Sequence, residues 1–131
     1  PFEVMLPAPG QGALAVTVRP DDARTRDAVR RAMHDPDCER AVAAERGFLN
    51  RLEGGCQVPV AAHAEVHGQE LRLTGRVVSL GGEAAVEGLR IGDAPDAAAA
   101  AAIGRLLAEE LLEYGAAGIL ASVREAPAEQ A

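Results

Sequence analysis

Residues 52–60 (LEGGCQVPV) divide the chain, because two glycines and a proline stand where the period of the hydrophobic residues changes. Gly54-Gly55 can take left-handed backbone angles at little cost and should end a helix. Pro59 fixes its own φ and biases the residue before it toward an extended conformation. Cys56 is therefore expected on a short, stiff loop, the kind of segment that presents a functional side chain from a rigid scaffold.

Two helices are predicted upstream of this loop, where apolar residues recur at spacings of three and four. The first is capped by Asp21 or Asp22 and runs to about residue 34. Its inward-facing residues would be Ala28, Val29 and Ala32. The second begins at Asp35-Pro36, with the aspartate as cap and the proline in the first turn, and runs to about residue 53. Its mainly apolar face consists of Cys38, Ala41, Val42, Glu45, Phe48, Leu49 and Leu52.

Two residues on that apolar face need an explanation. Cys38 is interpreted as a small core residue. Glu45 is a carboxylate among apolar neighbours, where an unpaired charge would be costly. We therefore expect either a structural partner for Glu45, in this chain or in another domain, or a direct functional role.

Downstream of the loop the period becomes two and predicts three strands, at residues 60–67, 70–79 and 83–91. Tight turns at Gly68-Gln69 and Gly81-Gly82 join them. In the middle strand Leu71, Leu73, Gly75 and Val77 alternate with Arg72, Thr74 and Arg76. This alternation is typical of an antiparallel meander with one buried and one solvated face.

A long helix is predicted from about residue 96 to Tyr114, ended by Gly115. Its apolar stripe is Ile103, Leu106, Leu107, Leu111 and Leu112. A short segment at residues 119–121 should extend the packed layer.

The predicted order is ααβββα, and the simplest architecture that buries every stripe is an α+β fold: a three-stranded antiparallel sheet with helices on one face. Residues 13–19 (ALAVTVR) are predicted to be a strand separated from that sheet by two helices. We expect this strand to belong to a neighbouring domain, and the proline at residue 1 suggests a piece of a longer chain. The expected division is 1–20 as a terminal strand and hinge, 21–125 as the α+β domain, and 126–131 as a frayed tail.

Composition narrows the class of protein. The 131 residues suit one domain, and 48% hydrophobic residues supply a core. A net charge of −7 argues against binding nucleic acid. No run of apolar residues is long enough for a membrane span. Two cysteines do not make a disulfide framework, so a reducing cytoplasm is expected. The three histidines lack ligand spacing, so no metal site is expected.

The residues also resemble a known family. Residues 45–48 (ERGF) and then 52–61 (LEGGCQVPVA) resemble the signature around the cofactor-bearing cysteine of porphobilinogen deaminase, also called hydroxymethylbilane synthase. Residues 6–14 (LPAPGQGAL), 34–36 (HDP) and 73–75 (LTG) are similar to the same family, and the likeness extends over about residues 5–125. The family enzyme has three domains, and this chain resembles the C-terminal one.

The resemblance implies a chemistry for the loop. The family cysteine that matches Cys56 carries a dipyrromethane cofactor through a thioether. The family enzyme then adds four porphobilinogen molecules with loss of ammonia and releases hydroxymethylbilane, a step of tetrapyrrole (porphyrin and heme) biosynthesis. The backbone at Gly55 leaves room for a pyrrole beside the sulfur. The resemblance also implies that Gln11 and Gly12 line the cleft near the pyrrole chain.

The same resemblance implies what this chain lacks. The family's catalytic aspartate and substrate-binding arginines belong to the first two domains, so no catalytic residue is assigned here. We expect the chain alone to be inactive and without cofactor, and we expect its partners to be the N-terminal domains of the same enzyme and porphobilinogen. The alternative is a stand-alone small α+β module that binds a ligand or partner without catalysis. A thiol redox protein is disfavoured, because there is no Cys-x-x-Cys pair.

Overall fold

The computed structural model of the protein describes residues 2, 4–52 and 59–125. These residues form four helices and one three-stranded antiparallel sheet, whose strands are neighbours in chain order; three of the helices pack against the sheet. The helices are α1 (Ala23–Met33), α2 (Pro36–Arg51), α3 (Ala97–Leu111) and α4 (Ala117–Glu125), and the strands are β1 (Val60–His67), β2 (Glu70–Val78) and β3 (Ala85–Asp93). The predicted α+β fold is confirmed.

The helix starts follow from side-chain capping, as predicted. Asp22 accepts a hydrogen bond from the Thr25 N–H at 3.0 Å, and Asp35 accepts from the Asp37 N–H at 2.9 Å. The Thr25 backbone N–H, followed by the Thr25 hydroxyl, lowers the pKa of the Asp22 carboxyl. Asp96 caps α3 in the same way, with the Ala99 N–H at 2.8 Å. A one-turn π-helical segment, Leu112–Ala116, follows α3 and contains Gly115 at φ 112°. The predicted end of the helix at Gly115 is therefore a sharp kink, after which the chain continues into α4.

The inner face of the sheet is shaped by small residues. Gly75 on β2 lies between Ala62 of β1 and Gly88 of β3 in the register. The ring of Phe48 from α2 fills the hollow, and a Cβ at Gly75 would lie 2.5 Å from the Phe48 Cζ atom. Leu71, Leu73 and Val77 face the same way and are fully buried, as predicted.

Helices α2 and α3 pack backbone against backbone. A Cβ at Gly104 would lie 2.0 Å from the carbonyl oxygen of Ala44, and one at Gly47 would lie 2.4 Å from the carbonyl oxygen of Ala101. The alanine run at the start of α3 therefore belongs to this close contact, and Ala100 is fully buried in it.

Residues 119–121 extend the packed layer as predicted, because Ile119 and Leu120 are buried in the helix α4.

Three local predictions are wrong. Residues 13–19 are not a strand, because no strand among the described residues lies beside them to take their hydrogen bonds. Leu106 is 43% exposed, because it lies on the solvent side of the α3 stripe. None of the residues 23–33 of α1 is buried, and only Val29 of its predicted inward residues is half-buried, because that face borders an open groove.

Cys38 is also not a core residue. It is a free, exposed thiol on the first turns of α2. The buried side of α2 instead contains Arg40, Ala44, Glu45, Gly47 and Phe48. The predicted apolar face thus divides into two, one toward the sheet and α3 and one toward the groove beside α1.

Candidate functional site

The predicted cofactor residues Cys56 and Gly55 lie outside the described residues, but the chain on either side of them is well anchored. Leu52, the C-cap of α2, is almost fully buried, and its N–H donates to the Phe48 carbonyl at 3.2 Å. The Pro59 carbonyl accepts from the Val78 N–H at 3.0 Å, which continues the sheet to the residue before β1. The described chain is therefore fixed at both ends of residues 53–58.

A turn from far upstream in the sequence lies against the outer edge of β1. We call residues 7–12 the Pro7–Gly12 turn. The Pro7 carbonyl accepts from the Ala62 N–H at 3.0 Å, and the Gln11 N–H donates to the Ala8 carbonyl at 3.0 Å. The Gln11 side-chain oxygen accepts from the Ala8 N–H at 3.2 Å.

The two glycines of this turn are required by its backbone. Gly10 has φ 76° and Gly12 has φ 89°, angles that residues with a Cβ rarely adopt. No described atom lies within 4 Å of where a Cβ would project at either glycine. Within the described part of the chain, the turn therefore borders open space. Gln11 and Gly12 are exposed there, as a role in lining a cleft would need.

Glu45 connects this turn to the sheet. Its side chain is buried, with 7% of the residue exposed. One carboxylate oxygen accepts from the Ala64 N–H at 2.8 Å, and the other accepts from the Gly10 N–H at 2.7 Å. The carboxylate that looked anomalous on an apolar face thus has its structural partners within this chain, and they are main-chain donors.

A groove of about 790 Å³ lies between residues 13–18, α1 and α2. Its apolar lining includes Val29, Val42 and Leu49, and Cys38 and His34 open onto it. Three arginines, Arg26, Arg30 and Arg46, also line it. Arg26 and Arg30 are four residues apart in α1 and therefore share one face of that helix.

Among the described residues, no group of three or more histidine, cysteine or acidic side chains is arranged to hold a metal ion. None of the helices in residues 4–52 and 59–125 combines the length and apolar character that crossing a bilayer requires.

Comparison with known proteins gives one consistent family. Residues 39–113 match the family described as porphobilinogen deaminase, C-terminal domain. A porphobilinogen deaminase of Rubrobacter xylanophilus is 52% identical over 124 residues, which are 95% of this chain and 39% of that protein. Those of Pelotomaculum thermopropionicum and Geobacter sp. are 47% and 46% identical, and the aligned parts are 39% and 37% of their lengths. The chain thus spans less than two fifths of these relatives. It belongs to the porphobilinogen deaminase family, of which it is a C-terminal portion.

Proposed function

We propose that this chain is the cofactor-attachment part of a porphobilinogen deaminase and that Cys56 is the residue that carries the dipyrromethane. The observation that supports this most directly is the anchoring of the Pro7–Gly12 turn beside the start of β1, the strand that follows the Cys56 segment. Two segments with the family's residues, far apart in sequence, thereby flank one region of the fold. The complete enzyme is a transferase that joins four porphobilinogen molecules into hydroxymethylbilane and releases ammonia.

The role of Cys56 is to supply a sulfur nucleophile. Ammonia leaves porphobilinogen with the electron pair of its C–N bond, and the methylene carbon left behind is electron-poor. The thiol gives its proton to solvent, and the sulfur electron pair forms the C–S bond. A free cysteine has a pKa of about 8.5, so a modest local stabilisation of thiolate is enough for a step needed once per enzyme molecule. The attached cofactor supplies the primer to which further pyrroles are added.

The other residues of the region position the reacting groups. Buried Leu52 and hydrogen-bonded Pro59 fix the two ends of the Cys56 segment. The open backbone at Gly10 and Gly12 leaves space for a flat ring. We also assign Gln11 to this lining. In the structure its side-chain oxygen accepts a hydrogen bond from the Ala8 N–H of the same turn. Freedom of the pyrrole would be restricted by these surroundings, which favours reaction at one end.

The chain alone is proposed to be inactive, because the family's catalytic aspartate and substrate-binding arginines belong to other domains. The same proposal includes the division of the chain into a terminal hinge segment (1–20), the α+β domain (21–125) and a tail (126–131). Residues 13–19 support it: they belong to no helix or strand of the described structure, and Leu14 is 92% exposed. Such a segment is suited to complete a sheet of the N-terminal domains. A reducing cytoplasm is part of the same proposal, because the chain has too few cysteines for a disulfide framework.

The two cysteines provide the test. A longer natural protein containing this chain should give the colour reaction for pyrroles and an intact mass with two added pyrrole units. Cys56→Ser should abolish both signals, whereas the matched control Cys38→Ser should retain them. The 131-residue chain incubated with porphobilinogen should give neither cofactor nor hydroxymethylbilane. Colour retained in Cys56→Ser, or product from the chain alone, would refute the corresponding part of the proposal.

The second candidate, a stand-alone binding module, is favoured by the groove beside α1. Arginines at its rim and apolar residues inside suit a small aromatic acid. Titration calorimetry of the 131-residue chain with an aromatic dicarboxylate would detect such binding. Arg30→Gln should weaken it, while Arg72→Gln, on the opposite face of the sheet, should not. Absence of binding by the chain would dispose of this candidate.

A further inference from the structure

The carboxylate of Glu45 holds together three parts of the molecule, and we propose that it is a positioning residue for the cofactor cleft. Through its two oxygens Glu45 fixes the Pro7–Gly12 turn against the edge of β1. This inference rests on the proposed function, since it assigns Glu45 a part in placing the turn next to the Cys56 segment.

The outer edge of β1 carries backbone N–H groups that need hydrogen-bond acceptors. The N–H groups of Ala62 and Ala64 donate to Pro7 and Glu45 and therefore point away from β2. Both residues are buried, so an N–H group left without a partner there would be costly. A single carboxylate satisfies one of these donors and still has a second oxygen for the turn.

Only a carboxylate matches this pair of donors. Gly10 and Ala64 both present N–H groups, at 2.7 and 2.8 Å from different oxygens of Glu45. Glutamine has one acceptor oxygen, and its NH₂ group would face the other N–H. Aspartate is shorter by one methylene and could not reach both donors without moving the α2 backbone. The chemistry of the site therefore explains why a charge is buried on the apolar face of α2.

The position of the turn follows from these bonds. Glu45 lies on α2, which leads into residues 53–58, and Ala64 lies on β1, which leads out of them. Through Glu45, the Gly10 N–H is therefore held in place relative to both α2 and β1, the elements on either side of the Cys56 segment. If the bond to Gly10 is lost, the one hydrogen bond that still joins the turn to the sheet among the described residues is that between Pro7 and Ala62.

We call the two hydrogen bonds from the Gly10 and Ala64 N–H groups to Glu45 the Glu45 clamp. Its existence is tested by amide hydrogen exchange, measured by NMR on the 131-residue chain. In Glu45→Gln the Gly10 amide should exchange roughly 10- to 100-fold faster, the range that a hydrogen bond to a charged group provides. The Ala64 amide should change less, because β1 holds it in place. Glu65→Gln, the same substitution at an exposed site on β1, is the matched control and should leave both amides unchanged. Protected Leu73 amides in both variants would show that the core is intact.

The positioning role is tested in the longer protein. Glu45→Gln should lower kcat and slow the gain of two pyrrole units in the intact mass, with KM for porphobilinogen unchanged, since the substrate-binding arginines lie elsewhere. An unchanged Gly10 exchange rate in the chain would overturn the clamp. Faster exchange with normal pyrrole loading and kcat would overturn the positioning role. A wild-type longer protein that never gains pyrrole would overturn the proposed function, and with it this role, while the exchange rates would still decide whether the clamp exists.

Discussion

The contact between α2 and α3 makes a prediction for Gly104→Ala. A Cβ at residue 104 would lie 2.0 Å from the Ala44 carbonyl oxygen and 2.7 Å from the Phe48 nitrogen, and both are backbone atoms that no side-chain rotation can move. The helices would have to separate by about 1 Å, which forfeits about a quarter to a half of each dispersion contact across the interface.

The size of the effect follows from two opposing terms. Overpacking a core costs about 1–3 kcal/mol, and a clash with backbone should be at the upper end of this range. Replacing glycine by alanine inside a helix returns about 1 kcal/mol. We therefore expect Gly104→Ala to lower the free energy of unfolding by about 2 kcal/mol.

Gly118→Ala is the matched control, because Gly118 lies in α4, is exposed and, apart from its own helix, has no described atom within 4 Å of its Cβ position. This variant should gain about 0.5–1 kcal/mol. Urea unfolding followed by far-UV circular dichroism would measure both changes, with the m-value as a check on two-state behaviour. If Gly104→Ala were as stable as Gly118→Ala, the close approach of the two helices would be refuted.

Three further predictions concern single side chains. Arg40→Ala should lower the free energy of unfolding by about 2–3 kcal/mol, measured by urea unfolding, because it leaves the buried Ala94 carbonyl without its charged donor. The control Arg51→Ala removes an exposed ion pair with Glu109 and should cost less than about 1 kcal/mol. Asp22→Ala should destabilise the chain at neutral pH, because hydrogen bonds from the first turn of α1 lower the pKa of this carboxyl. The effect is present above its ordinary value of 3.8 and is lost as the pH falls through the lower folded value, so thermal unfolding of the two proteins should converge in acid. Gly75→Ala should lower the free energy of unfolding by about 1–3 kcal/mol, because the added methyl group meets the Phe48 ring. The loss should be smaller in a Phe48→Leu background. Additive effects of the two substitutions in a double-mutant cycle would contradict the packing described.

The sheet and the caps were predictable because local signals agree with the fold. The alternation in β2 required one buried face, and glycine-containing turns on each side set the strand order. Asp22, Asp35 and Asp96 are caps whose partners lie within the next few residues. Such contacts can be predicted from neighbouring residues in the sequence alone.

The errors arose where the partner lies far away in sequence. Cys38 fits the periodicity of a buried stripe, but burial depends on whether another element covers that side of α2, and there a groove remains. The family's Pro7–Gly12 residues could be recognised, but not their bonds to Ala62 and Glu45, which no period encodes. The anomaly of a carboxylate on an apolar face was the one signal that could have led to them.

Anchoring the Pro7–Gly12 turn has a mechanical consequence. The chain leaves the sheet edge after this turn and returns to the core at α2, where Arg40 donates to the Ala94 carbonyl at 2.9 Å. Residues 13–34 therefore form an excursion whose two ends are attached to the same packed body. A force applied to this excursion acts first on those two attachments, the Pro7–Gly12 turn and the start of α2, and not on the pairing of β2 with β3.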